Sequence, residues 1–187
     1  MAGSNEVLLV RHGETDDNAA ARFQGRRDTQ LNERGREQSR ALAHALRDEG
    51  LRALYTSPLG RARETARILG DALGLEAVVD ERLTEVDAGD WSGGLIAEVT
   101  ATQPDSWERW RNVDPTFRFP GGESVAEQAA RVAAALADVA LGPLPALVVT
   151  HGGSIRAVEG IDPQPGGAVG NCAVFRLPAV AAAASPP

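Results

Sequence analysis

Two short apolar stretches limit what this chain can fold into more than anything else in it. Glu6–Val10 (EVLLV) and Ala146–Thr150 (ALVVT) are apolar, partly β-branched and too short for buried helices, so both read as strands buried on both faces. Each leads into a histidine followed by glycine, through Arg11-His12-Gly13 in the first case and directly into His151-Gly152-Gly153 in the second. In open α/β sheets ligands bind beyond the carboxyl ends of the strands. The glycines allow backbone to approach an anion without a Cβ in the way. Two such loops suggest one shared site.

The rest of the chain alternates between strand and helix, the pattern of a parallel sheet with helices on its faces. Leu31–Glu49 reads as a helix entered through Asn32, with Leu42, Ala45 and Leu46 inward and Gly50 as its stop. Ala53–Tyr55 is a short strand before Thr56-Ser57-Pro58, and Leu59–Leu73 a helix with Ile68, Leu69 and Leu73 inward, closed by Gly74. Ala77–Val79 is a brief strand, Glu123–Leu141 an Ala-rich helix started near Ser124, and Cys172–Leu177 a last strand. Between Glu85 and Gly122 the pattern loosens, and this stretch holds all three tryptophans, Trp91, Trp107 and Trp110. The expected architecture is a three-layer α/β/α domain over 1–178 with a mostly parallel sheet. An insert of small helices and loops, about 86–122, covers the site, and a disordered tail spans 179–187.

Composition narrows the function. At 187 residues with 43% hydrophobic and 24% charged residues, the chain suits a soluble globular protein. No apolar run reaches the roughly 20 residues of a membrane span, and the start lacks a signal-peptide pattern, so neither a membrane role nor secretion is expected. A net charge of −7 argues against nucleic acid as partner, yet arginines converging on a pocket still hold a small anion. The single cysteine, Cys172, forms no internal disulfide, in keeping with the cytoplasm, and reads as a small core residue. His44, in mid-helix, reads as structural. Arginine supplies all 19 basic residues, which the Ala- and Gly-rich composition traces to nucleotide bias rather than function.

The residues around the histidines suit phosphoryl chemistry. Arg11 precedes His12 and Arg61 opens a helix; guanidinium forks grip phosphate with parallel hydrogen bonds. A neutral histidine can attack phosphorus, and the leaving alcohol then needs an acid. Arg-His-Gly-Glu-Thr with Asn18, Tyr55-Thr-Ser-Pro-Leu-Gly-Arg61-Ala-Arg-Glu-Thr-Ala, Leu83-Thr-Glu85-Val-Asp-Ala-Gly89-Asp-Trp91-Ser-Gly93, Gly121-Gly-Glu-Ser124 and Val149-Thr-His151-Gly-Gly occur in that order. On these five motifs, over about residues 6 to 177, the chain resembles the histidine phosphatase superfamily, which includes cofactor-dependent phosphoglycerate mutases.

The resemblance implies a metal-independent phosphatase acting on a small phosphorylated metabolite. In it His12 is the nucleophile, Arg11 and Arg61 clamp the phosphate, His151 donates to phosphoryl oxygens and Glu85 is the acid. Asn18, Gln24, Gly25 and Gly152 position the substrate, and no metal or cofactor is implied. Asp87 and Asp90 either cap a turn or compete for the acid role, and Arg61 could instead pair with Glu64. Trp107 and Trp110, with Arg109 and Arg111, either line the pocket or only pack the insert. Activity is expected to be better in mild acid than above about pH 8, since the acid must keep its proton beside a phosphate anion.

Mutases of the family carry a longer insert, which favours hydrolysis over phosphoglycerate mutase-type transfer. A non-catalytic phosphate-binding regulatory module would usually have lost His12, an arginine or the acid. After His151 the chain departs from the family: Ser154–Glu159 gives a short helix before Asp162-Pro-Gln-Pro-Gly-Gly, and Asn171-Cys172 follows soon after. The sheet surface bared there must be covered by the insert or by a second copy in a homodimer.

Overall fold

The computed structural model describes residues 5–158 and 169–179. It contains a five-stranded sheet between two layers of helices. β1 (Glu6–Arg11), β2 (Ala53–Thr56), β3 (Ala77–Val79), β4 (Ala146–Thr150) and β5 (Val174–Pro178) lie in the order β3-β2-β4-β1-β5. All neighbouring pairs are parallel except β1 with β5. The helices are α1 (Asp16–Ala19), α2 (Glu33–Ala45), α3 (Gly60–Leu73), α4 (Ile96–Thr102), α5 (Pro104–Arg111), α6 (Val125–Ala140) and α7 (Gly152–Arg156). The expected mostly parallel three-layer arrangement is therefore observed.

β1 shows why both faces are apolar. Val7 and Leu9 join the α6 side of the core with Val132, Leu136 and Val139, while Leu8 and Val10 join the α2–α3 side with Ala43, Leu54 and Leu69. Each such side chain contributes about 1.5–3 kcal/mol by leaving water. A third cluster, of Phe23, Trp91, Phe117 and Phe119 with Trp107 and Trp110 against it, holds the insert.

Local signals set the helix ends. The Asn32 side chain accepts from Gly35 N at the start of α2, and Ser124 and Glu127 form a reciprocal capping box at the start of α6. α3 ends at Gly74, in the left-handed conformation at φ 69°. Two expectations fail. In α2 Gly35, Ser39, Leu42 and Ala43 face inward, joined by Leu46 just past its end, as expected for Leu42 and Leu46, whereas Ala45 is exposed. This stripe keeps the helical period, which leaves Ala45 on the outer face, and α2 ends at Ala45 rather than running on to Glu49 with Gly50 as its stop. Cys172 is no core residue: it is half-buried in a turn at φ 57°, its N–H donating to Arg11 O at 2.9 Å.

β5 starts at Val174, two residues later than expected, because Asn171 and Cys172 form that turn. Beyond His151 the helix is five residues long, and Ile155, Val169 and Leu177 are buried on that side of the sheet. The helix-breaking stretch 162–167 lies outside the described residues, as does the expected tail apart from Ala179, which is buried and donates to Asn5 O. No helix among the described residues is long and apolar enough to cross a membrane.

Candidate active site

Strand register assembles the site. Arg11 lies opposite Thr150 across β1 and β4, so the residues that follow, His12 and His151, leave the sheet side by side. Their ring centroids are 5.2 Å apart. Thr56 pairs with Val149, which brings Ser57 to the same edge. Thr150 Oγ1 donates to Leu83 O at 2.8 Å and ties the loop carrying Glu85 to the end of β4. Close backbone approach completes the frame. A Cβ on Gly13 would stand 2.4 Å from Gly35 O, so the His12 loop can lie on the start of α2 only with glycine there.

His12 is buried and its two nitrogens have distinct partners. Nδ1 lies 2.7 Å from Gly13 O, which can only accept, so Nδ1 carries the ring proton and Nε2 the lone pair. Arg61 Nε donates to that Nε2 at 3.2 Å. Burial, reinforced by the positive charges of Arg61 and Arg11, pushes His12 well below the ordinary histidine pKa and keeps it neutral. His151 is fully buried and held neutral by burial and by Arg61, His12, Arg11 and Arg131. Its Nε2 lies 2.7 Å from Ser57 Oγ, and its Nδ1 is buried without a hydrogen-bond partner among the described residues.

Arg61 is fully buried at the start of α3. Its Nη groups donate to Gly25 O at 2.8 Å and Arg27 O at 2.7 Å, which aims the guanidinium at His12. Glu64 pairs with Arg36 instead, at 2.7 Å. Burial draws the Arg61 pKa down to about 10, still high enough for the cation to persist at neutral pH. Arg11 is also drawn down by burial, and it donates to Val169 O.

Glu85 accepts from Val86 N (2.9 Å) and Gln128 Nε2 (3.0 Å) on one oxygen and from Gly153 N (3.1 Å) on the other. Asp87 caps a turn through Gly89 N at 3.1 Å, and neither it nor Asp90 lines the cavity. The Asn18 oxygen takes hydrogen bonds from Thr15 N and Asn171 Nδ2. The Gln24 oxygen takes them from Thr15 and Thr29 hydroxyls.

All the sequence-predicted site residues except His151 line one cavity of about 250 Å³: Arg11, His12, Asn18, Gln24, Gly25, Arg61, Glu85 and Gly152. His151 is fully buried and packs against the cavity-lining His12. Trp107, Trp110 and Arg111 also line it, so the two tryptophans both face the pocket and pack the insert; Arg109 pairs with Asp114 and Thr116 instead. His44 is exposed on α2. Sequence reasoning missed Ser57 as a partner of His151 and Gln128 as a partner of Glu85. It also missed Arg131, which grips Glu85 O and Glu123, and the cavity-lining Arg22 and Arg156. Of these only Ser57 stood in a recognised motif; the others carry no local signal.

Two neutral buried histidines make folding sensitive to acid. The unfolded chain binds a proton at each near pH 6.5, whereas the folded chain does not. Their contribution is thus complete above that pH and is lost as pH falls below it, by about 1.4 kcal/mol per unit for each ring. Urea unfolding is expected to show a loss of about 2 kcal/mol between roughly pH 6 and 5 from this pair. His12→Asn should remove about half of that loss; an unchanged slope in the variant would contradict the assignment.

The Histidine phosphatase superfamily (branch 1) profile matches residues 7–161. The chain is 40% identical over 134 residues to phosphoserine phosphatase 1 of Hydrogenobacter thermophilus, covering 72% of this chain and 64% of that protein, less than two thirds of its length. It is 38% identical over 166 residues to glucosyl-3-phosphoglycerate phosphatase of Mycobacterium tuberculosis, covering 83% and 74%. The structure of a mycobacterial glucosyl-3-phosphoglycerate phosphatase in complex with VO3 superposes with a TM-score of 0.81 at 33% identity, over 91% of each chain.

Proposed function

The chain belongs to the histidine phosphatase superfamily, and on that footing we propose that it is a cytoplasmic, metal-independent phosphatase that hydrolyses a small phosphomonoester through a phosphohistidine on His12. One observation carries this reading: a neutral histidine with its Nε2 lone pair against a buried arginine shares a cavity with a carboxyl group fixed by three N–H donors. His12 Nε2 attacks phosphorus and the P–O bond to the alcohol breaks. Glu85 gives its proton to the leaving oxygen, while Arg11, Arg61 and His151 offset charge on the phosphoryl oxygens. Water then attacks the phosphohistidine, Glu85 takes a proton from it, the N–P bond breaks and inorganic phosphate leaves. The unpaired thiol of Cys172, the only cysteine, supports the cytoplasmic placement.

The substrate is proposed to be a phosphorylated small acid carrying a carboxylate. Among the described residues, five arginines line the cavity, Arg11, Arg22, Arg61, Arg111 and Arg156, with one acid, Glu85. Arg11 and Arg61 suffice for one phosphate, which leaves Arg22, Arg156 and Arg111, the last also 3.5 Å from Glu108, on the lining for a second anionic group. The phosphoserine and glucosyl-3-phosphoglycerate in the names of the two relatives both carry a carboxylate, in keeping with this.

The test is phosphate release in the presence of a chelator from a carboxylate-bearing ester such as phosphoserine and from neutral-tailed glycerol phosphate. The acid is expected to be preferred by about tenfold or more in kcat/KM, and Arg111→Ala to narrow that preference. No release from any monoester would overturn the phosphatase reading. Equal rates on both would overturn the substrate class.

A further inference from the structure

We propose that Ser57 is a positioning residue that sets the tautomer of His151 and so presents its Nδ1–H to the phosphoryl group. The inference rests on the phosphoryl-transfer reading for its purpose but not for its geometry. Ser57 Oγ is fully buried and has two neighbours, Leu59 N–H at 3.3 Å, which it accepts, and His151 Nε2 at 2.7 Å. A hydroxyl has one proton to give. If His151 donated from Nε2, Ser57 Oγ would accept twice and its own proton would face no acceptor among the described residues. A buried polar hydrogen left unpaired is costly. The alternative leaves only Nδ1 without a partner instead of two groups: Ser57 donates to Nε2, which therefore carries the lone pair.

Because His151 is neutral, its one ring proton must then be on Nδ1. That nitrogen is buried with no partner among the described residues, on a ring packed against His12. A buried donor without an acceptor persists where a ligand supplies one. The other tautomer would turn a lone pair toward the phosphoryl oxygens and repel them. Strand register fixes Ser57 in this role, since Ser57 N donates to Val149 O at 3.0 Å, two residues before His151.

The test reads the ring directly, by nitrogen-15 NMR of the three histidines in the full chain at neutral pH, with inorganic phosphate as the probe. The expected result is a proton on His151 Nδ1, none on Nε2, and a shift of the Nδ1–H on adding phosphate. Ser57→Ala is expected to move the ring toward the Nε2–H form and to lower kcat by about tenfold while KM stays within about twofold. Ser57→Thr, which keeps the hydroxyl, should restore both signals. A wild-type ring protonated on Nε2 overturns the proposal, as does a Ser57→Ala variant with unchanged tautomer and kcat. If Ser57→Ala does not fold, the wild-type spectrum decides alone. Absence of turnover in the wild type would count against the phosphatase reading, whereas the tautomer is settled by the spectrum.

Discussion

His12→Ala is expected to lower phosphate release by at least about 10⁴-fold, with the fold intact. The variant loses the attacking nitrogen, and nothing nearby can replace it. His151, the only other histidine at the site, has its Nε2 lone pair engaged by Ser57 and its Nδ1 protonated, so neither nitrogen offers a free lone pair. Cys172 is turned into a different hydrogen-bond neighbourhood, its sulfur 3.9 Å from Ser39 Oγ, and burial raises its pKa, which disfavours the thiolate. The structural cost should be modest. Gly13 O and Arg61 Nε each lose one partner, about 1–3 kcal/mol in total. Steady-state kinetics beside a urea melt separates the two effects. A variant that keeps a tenth of the activity would show that His12 is not the nucleophile.

Arg61→Met is expected to cut kcat/KM by about 10³-fold while leaving the unfolding free energy within about 1 kcal/mol of the wild type. Two structural effects oppose each other. Burial disfavours the cation, as the fall of its pKa to about 10 records, so a side chain of similar length without charge relieves that cost. Against this, Gly25 O and Arg27 O lose the donors that Arg61 supplies. The catalytic effect has no such compensation. The guanidinium that touches His12 Nε2 is also the charge best placed to meet a phosphoryl oxygen on that nitrogen. Arg61→Lys should recover little, because a point charge cannot bond His12, Gly25 O and Arg27 O from one plane. Activity retained in Arg61→Met, or a loss explained by unfolding, would contradict this division of roles.

What the sequence revealed follows the range of the interactions involved. The strands β1 and β4, the starts of α2 and α6 and the end of α3 were legible because their causes are local: apolar runs, Asn32, the Ser124–Glu127 box and Gly74. The two histidines were legible because each directly follows such a strand. The partners that orient them were not, since the pairing of His151 with Ser57 spans 94 residues and that of Glu85 with Gln128 spans 43. Those contacts depend on strand order and on the packing of α6 beside the Glu85 loop. Ala45 was misplaced because the helical stripe of Gly35, Ser39, Leu42, Ala43 and Leu46 leaves it on the outer face, which its apolar side chain alone did not reveal. The paired roles of Trp107 and Trp110, packing the insert and walling the cavity, also needed the folded arrangement to become visible.

The central claim is that phosphate passes through His12, and trapping that intermediate tests it most directly. The enzyme would be mixed with excess phosphoester in chelator, quenched in alkali within a turnover, digested and mapped by mass spectrometry. The account predicts one phosphoryl group on His12, stable in alkali, lost in acid and absent from His12→Ala. Steady release of phosphate with no label on His12 at any quench time would contradict it and point to direct attack by water.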